Sequence, residues 1–204
     1  MWNNQTKFIE YAKGFAQSNQ RHIWLGGSFL QGNATAFSDV DISVWCNAEE
    51  AKRLIEGYGE VVYLSYTQKP FGILIVIYAD GVAVDMEIVD DAVGADTGYF
   101  HVEDIRKYPY KRNEMICREL ALQDDLPYQM ARLFHRSLIK FFSGKQAMGV
   151  SVANEMASFL HAEPINAKDY ENKMLILLQR FISLYTMHEG YRNLLFALIN
   201  EEKC

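Results

Sequence analysis

Two pairs of carboxylates in this chain are each spaced for one side of a β-strand. Asp39 and Asp41 flank Val40 and lead into an apolar run, DVDISVW over residues 39–45. Side chains alternate along a strand, so both aspartates project together, roughly 7 Å apart, while Val40, Ile42 and Val44 face a core. Asp85 and Glu87 repeat the pattern within VAVDMEIV, residues 82–89, with Val84, Met86 and Ile88 behind them. Carboxylates held this close are costly unless a cation lies between them. Magnesium suits such a group, because it takes hard oxygen ligands in a near-octahedral shell. Two such strands in an antiparallel sheet could meet at one metal site, with Asp85 or Glu87 as the third acid.

Upstream, the apolar stretch His22–Leu25 runs into Gly26-Gly27-Ser28. Glycine lets backbone N–H groups approach a phosphate closely, and a serine hydroxyl adds a donor. A phosphate cradle beside carboxylate-held magnesium suits attack on the α-phosphorus of a nucleoside triphosphate, with pyrophosphate leaving.

Several elements must position these groups. Phe8, Ile9, Ala12 and Phe15 recur at helical spacing over residues 5–18. His22–Leu25 and Val40–Trp45 read as strands, with a turn-like segment over 32–38 between them and a short helix over 29–31. A helix is predicted over 48–57. Residues 60–66, 72–79 and 82–89 are rich in Val, Ile and Tyr, and Asp80-Gly81 joins the last two as a hairpin. Residues 90–112, with Gly94, Gly98 and Pro109, read as a connector. From about Asn113 only helical patterns remain, over 127–145, 150–160, 168–188 and 191–202. The expected fold is α+β, a mixed sheet of about five strands with flanking helices, followed by an all-helical C-terminal bundle. The expected domains are 1–112 and 113–204.

The chain has 204 residues, half of them hydrophobic and 13% aromatic, which is a globular composition. Its net charge of -6 argues against a protein that holds long nucleic acid. Cys46, Cys117 and Cys204 are far apart and form no zinc pattern, as expected of reduced thiols in a cytoplasm. The apolar run 73–79 is too short to span a bilayer and the N-terminus carries no signal-peptide core. A cytoplasmic location without membrane contact is expected. The five histidines are scattered in sequence without metal-ligand spacing. Tyr108, Tyr110, Phe134, Phe141 and Phe142 are expected in the core, with room for one of them in an acceptor pocket.

The string GGSFLQGNATAFSDVDISV, followed by VDMEIV, resembles the signature of the DNA polymerase β-like nucleotidyltransferase superfamily over roughly residues 20–90. The helical half is similar, more loosely, to that of its antibiotic-modifying members of the aminoglycoside and lincosamide types. The resemblance implies a nucleotidyltransferase that moves AMP from ATP to a hydroxyl of a small molecule, with Mg2+ as cofactor, as a monomer or homodimer. It implies Asp39, Asp41 and Asp85 as metal ligands and Glu87 as the base that deprotonates the acceptor. Gly27, Ser28 and Ser38 would hold the nucleotide, together with Lys140 in the segment LFHRSLIKFFSGK. A competing reading within the fold is an antitoxin that binds or adenylylates a protein partner. A binding protein with a decayed site is disfavoured, because every acid of the motif is intact.

Overall fold

The computed structural model describes residues 2–67, 72–92, 98–121 and 125–200. They fall into two compact units, Met1–Gln123 and Asp124–Cys204. Gly94, Cys204 and the expected helix end at 202 lie outside the described residues.

The first unit runs α1 (Trp2–Asn19), β1 (His22–Leu25), α2 (Gly27–Leu30), β2 (Val40–Trp45), α3 (Ala48–Glu56), β3 (Val61–Thr67), β4 (Ile73–Tyr78), β5 (Ala83–Ala92), β6 (Phe100–His101), a 3-10 turn (Ile105–Lys107), β7 (Tyr110–Arg112) and α4 (Glu114–Leu120). The strands form one mixed sheet of seven in the order β3-β4-β5-β2-β1-β6, with β7 on the far end of β5. The count exceeds the expected five because β6 and β7, two and three residues long, arise inside the predicted connector. Strands that short show no alternation to read. The division between units also falls later than residue 112. α4 belongs with the sheet, where Cys117 and the following Ala121 are buried in the same core as the strands.

Periodicity accounts for the layers. Phe8, Ala12 and Ala16 of α1, all fully buried, pack with Ala51, Leu54 and Ile55 of α3 against one face of the sheet. A reciprocal capping box starts α3: Asn47 Oδ1 accepts the Glu50 N–H, and Glu50 Oε2 accepts the Asn47 N–H, each at 3.0 Å. Gly81, at φ +88°, turns β4 into β5, and Asp80 Oδ1 accepts the Val82 N–H at 3.1 Å. β5 lies between β4, to which it is antiparallel, and β2, to which it is parallel. The expected antiparallel meeting of the two acid strands is therefore corrected. Residues 46–82 hold α3 and the β3–β4 pair, and a long crossover containing a helix is what parallel neighbours need.

The thiols of Cys46 and Cys117 are buried and unbridged. Burial pushes them up to about 12 and about 11, so neither is poised as a nucleophile.

The second unit contains α5 (Leu126–Phe142), α6 (Gln146–Phe159), α7 (Tyr170–Leu184) and α8 (Glu189–Asn200). Helical spacing predicts one apolar stripe of Met174, Leu177, Leu178, Phe181, Ile182 and Tyr185; the first four are buried, whereas Ile182 and Tyr185 are half-buried. Ser137 donates to the Gly149 carbonyl at 2.7 Å, and its one proton being so used, the Tyr170 hydroxyl donates to Ser137 at 2.5 Å. His135 is buried on α5, and its Nε2 has no hydrogen-bond partner among the described residues. Burial first, then the charges of Arg132 and Lys140, push His135 from 6.5 down to about 3. Between those values the unfolded chain binds the proton and the folded chain does not. Stability is therefore complete above the unfolded value and falls as pH drops below it. A loss of about 2 kcal/mol is expected between about pH 7 and pH 5. His135→Leu should flatten that stretch of a pH series of urea denaturation curves; an unchanged slope would refute the assignment.

Candidate active site

In the parallel ladder of β2 and β5, Asp41 is the Cα partner of Asp85, and Ser43 is the partner of Glu87. Val40, Ile42, Val44, Val84, Met86 and Ile88 are at most 3% exposed and face the helices. The alternation read from the sequence thus holds, and Asp41, Asp85 and Glu87 share the opposite face. Neighbouring strands stand about 4.8 Å apart, so Asp41 and Asp85 sit side by side. All three acids are half-buried and line one cleft of about 500 Å³, a size typical of small-ligand sites.

Gly26 and Gly27 form the wall next to Asp41. The Gly26 N–H donates to the Asp41 carbonyl at 2.8 Å, continuing the β1–β2 pairing past Leu25. Gly27 adopts φ +55°, and a Cβ there would collide with the Asp41 carboxylate. The glycine is thus required twice, by its backbone angle and by the acid packed against it.

The other expected residues are placed differently. Asp39 is half-buried immediately ahead of β2 and does not line the cleft. Ser28 lies within α2, also outside the lining; its carbonyl accepts the Asn33 N–H at 3.0 Å. Ser38 is bonded into the preceding turn, where its hydroxyl oxygen accepts the Thr35 N–H at 2.8 Å and its carbonyl accepts Gln5 Nε2. Lys140 belongs to the second unit, in the last turn of α5.

The cleft also contains groups that the sequence did not single out, most of them from the predicted connector. Arg112 on β7 donates through Nε to Glu87 Oε1, and the Ser43 hydroxyl donates to Glu87 Oε2 at 2.8 Å. Burial opposes the charge of Arg112, but the bond to Glu87 and that residue's charge outweigh it and raise the guanidinium. Arg112 also stands 5.9 Å from the Tyr110 ring centroid, so Tyr110 is the connector aromatic that reaches the pocket. Arg106 and Asp104 line the same wall, joined by three side-chain hydrogen bonds of 2.6–3.0 Å. The Arg106 partnership holds Asp104 below the usual carboxylate range. A three-residue strand offers no pattern from which Arg112 could have been chosen. The nearest signal was the need of a half-buried Glu87 for a cationic partner.

Beside the acids on the same face, β1 and β6 bring together two histidines that are far apart in sequence. His22 Nδ1 and His101 Nε2 share a hydrogen bond of 2.9 Å, and His101 stacks on Trp24 at 4.8 Å. Their rings are nearly coplanar, with centroids 5.2 Å apart, so the two nitrogens point at one another. Burial holds both histidines below their ordinary value. That arrangement suits a shared proton that fixes β6 to β1.

Among the described residues, no three His, Cys, Asp or Glu are gathered as a metal-holding group. Magnesium does not require three. It is commonly held by one or two carboxylates, with water and substrate phosphates completing the shell. Asp41 and Asp85, adjacent across the ladder and against a glycine with no room for a side chain, fit that smaller demand.

No protein-family model matches the chain, and no curated protein matches it. No helix among the described residues is long and apolar enough to cross a membrane.

Proposed function

We propose that this chain transfers a nucleoside monophosphate, AMP from ATP, to a hydroxyl of a small molecule and releases pyrophosphate. The observation that carries the reading is the pairing of Asp41 with Asp85 on adjacent parallel strands, directly against the positive-φ Gly27. Asp41 and Asp85 would hold magnesium, which when bound neutralises phosphate charge and polarises the α-phosphorus. Asp39 remains a candidate outer ligand through the DxD pattern. The Gly26-Gly27 turn brings backbone close to the phosphates, and since the Gly26 N–H is spent on Asp41, contact falls to Gly27. Ser38 acts indirectly, by bracing the turn that leads into β2.

Glu87 stands on the acceptor side. Two of its roughly four lone-pair sites receive Ser43 and Arg112, and another is left for the hydroxyl proton of the acceptor.

Magnesium with a non-hydrolysable ATP analogue at about a hundred times its Kd should stabilise the fold by about 2.7 kcal/mol, a rise of several degrees in Tm. No rise at millimolar concentrations would overturn the reading. The acceptor would then be sought by screening pyrophosphate release from ATP, GTP, CTP and UTP against antibiotics and metabolites.

A further inference from the structure

The wall of the cleft past Glu87 is made by the 3-10 turn and β7, and it is rich in hydrogen-bond donors. Ile105, 6% exposed, packs with Trp24 and Val89 and so fixes the turn to the sheet. Asp104 grips the following arginine twice. Its Oδ1 accepts the Arg106 backbone N–H at 2.9 Å, and its carboxylate accepts Nε and Nη2 of the same side chain. That grip occupies one edge of the planar guanidinium. A guanidinium carries five N–H donors and no acceptor, so its end-on edge, Nη1 with the second proton of Nη2, still presents two parallel donors. Such a fork matches the paired oxygens of a carboxylate or a phosphate. The Arg106 side chain is 77% exposed and lines the cleft together with Tyr110. The Tyr110 hydroxyl oxygen accepts Arg112 Nη2 at 3.4 Å and keeps its own proton to donate.

The strand register separates this wall from the glycine turn. Gly27 packs against Asp41, and Asp41 pairs with Asp85. Glu87 lies about 7 Å further along β5, and β7 joins beyond it, with Arg112 opposite Val89. Besides Asp104, both Tyr110 and Glu87 act on the charge of Arg106. We propose that Arg106 and Tyr110 form an anion subsite on the acceptor side of the cleft, so that the compound whose hydroxyl accepts the nucleotide also carries a carboxylate or phosphate group. The proposal rests on the nucleotidyl-transfer reading above, in which Glu87 faces the acceptor. Asp104 is a positioning residue that holds the guanidinium end-on to the anion.

The full chain is dialysed to equilibrium against radiolabelled inorganic phosphate, first alone and then with Mg2+ and a non-hydrolysable ATP analogue. The wild type is expected to bind phosphate in both conditions, with affinities within about threefold of each other, because the nucleotide leaves the subsite open. Arg106→Met should weaken that binding by about tenfold or more, the loss of a forked, charged contact. Arg106→Lys should recover part of it, since the charge stays and the fork does not. Tyr110→Phe should weaken it several-fold. Lys107→Met removes the same charge from the next residue, outside the lining of the cleft, and should stay within about twofold of the wild type. The Arg106 variants should melt close to the wild type, because the lost ion pair is largely solvent-exposed. No phosphate binding by the wild type, no loss in Arg106→Met, or equal losses in Arg106→Met and Lys107→Met overturns the proposal. So does phosphate binding that the analogue abolishes, since the arginine then serves the triphosphate. A rise in Tm with the magnesium-bound analogue, without Arg106-dependent phosphate binding, removes this proposal and leaves the nucleotide reading standing. No such rise removes that reading and the acceptor assignment with it.

Discussion

Asp41→Asn is expected to reduce AMP transfer by about a thousandfold or more and to abolish the magnesium-dependent rise in Tm. The substitution keeps the shape of the side chain and removes the charge that faces Asp85 across the ladder. Metal-borne stabilisation of a phosphoryl transition state amounts to several kcal/mol, and about 4 kcal/mol corresponds to a thousandfold. The fold should tolerate the change, because a repulsion between neighbouring carboxylates disappears with it. Pyrophosphate release measured beside the melting curve separates the two effects. Full activity in Asp41→Asn would show that the ladder pair is not the metal site. Asp39→Ala is expected to be inactive from the DxD pattern, but Asp39 does not line the cleft. A smaller loss at Asp39 than at Asp41 would fit the placement of the two residues.

Gly27→Ala should cost both stability and activity. A non-glycine residue at φ +55° is strained by about 1–2 kcal/mol. The added methyl also collides with the Asp41 carboxylate and must drive it from its place. Gly32→Ala isolates the second effect, because Gly32 also has a positive φ, +70°, yet a Cβ there meets nothing within 4 Å. Chemical denaturation should show Gly27→Ala to be about 1–2 kcal/mol worse than Gly32→Ala, a difference of the size an overpacked contact produces. Gly27→Ala alone should also lose the magnesium-nucleotide shift. Equal behaviour of the two variants would mean that the contact between Gly27 and Asp41 is unimportant.

What the sequence revealed follows from which forces act locally. The alternation in DVDISVW and VDMEIV identified both acid strands and their buried faces, because a period of two is a property of each strand by itself. It could not identify the partner strand or its direction, which depend on how the intervening 46–82 segment packs. The helix over 48–57 was readable from its amphipathic spacing. β6, β7 and α4 were not, since each is short and held by contacts with distant residues. The same limit applied to the site. Gly27, Asp41, Asp85 and Glu87 came from motifs, whereas Arg112, Tyr110 and Ser43 owe their places to the ladders of β5 with β7 and of β2 with β5. His22 and His101 lie too far apart in the chain for any local pattern to join them.

The position of β5 between β2 and β4 also sets an order of assembly. β1 and β2 can zip together soon after residue 45 is made, and β3 and β4 can pair with one another by residue 78. The two halves of the sheet are joined only when β5 slots between them, and Asp85 meets Asp41 in that same event. Pairing across such a sequence separation is slow compared with local pairing, because loop-closure entropy is lost before any contact compensates it. A nascent or partly folded chain therefore carries the glycine turn and the first aspartates but no cleft, and competence for the proposed chemistry should arrive together with closure of the sheet.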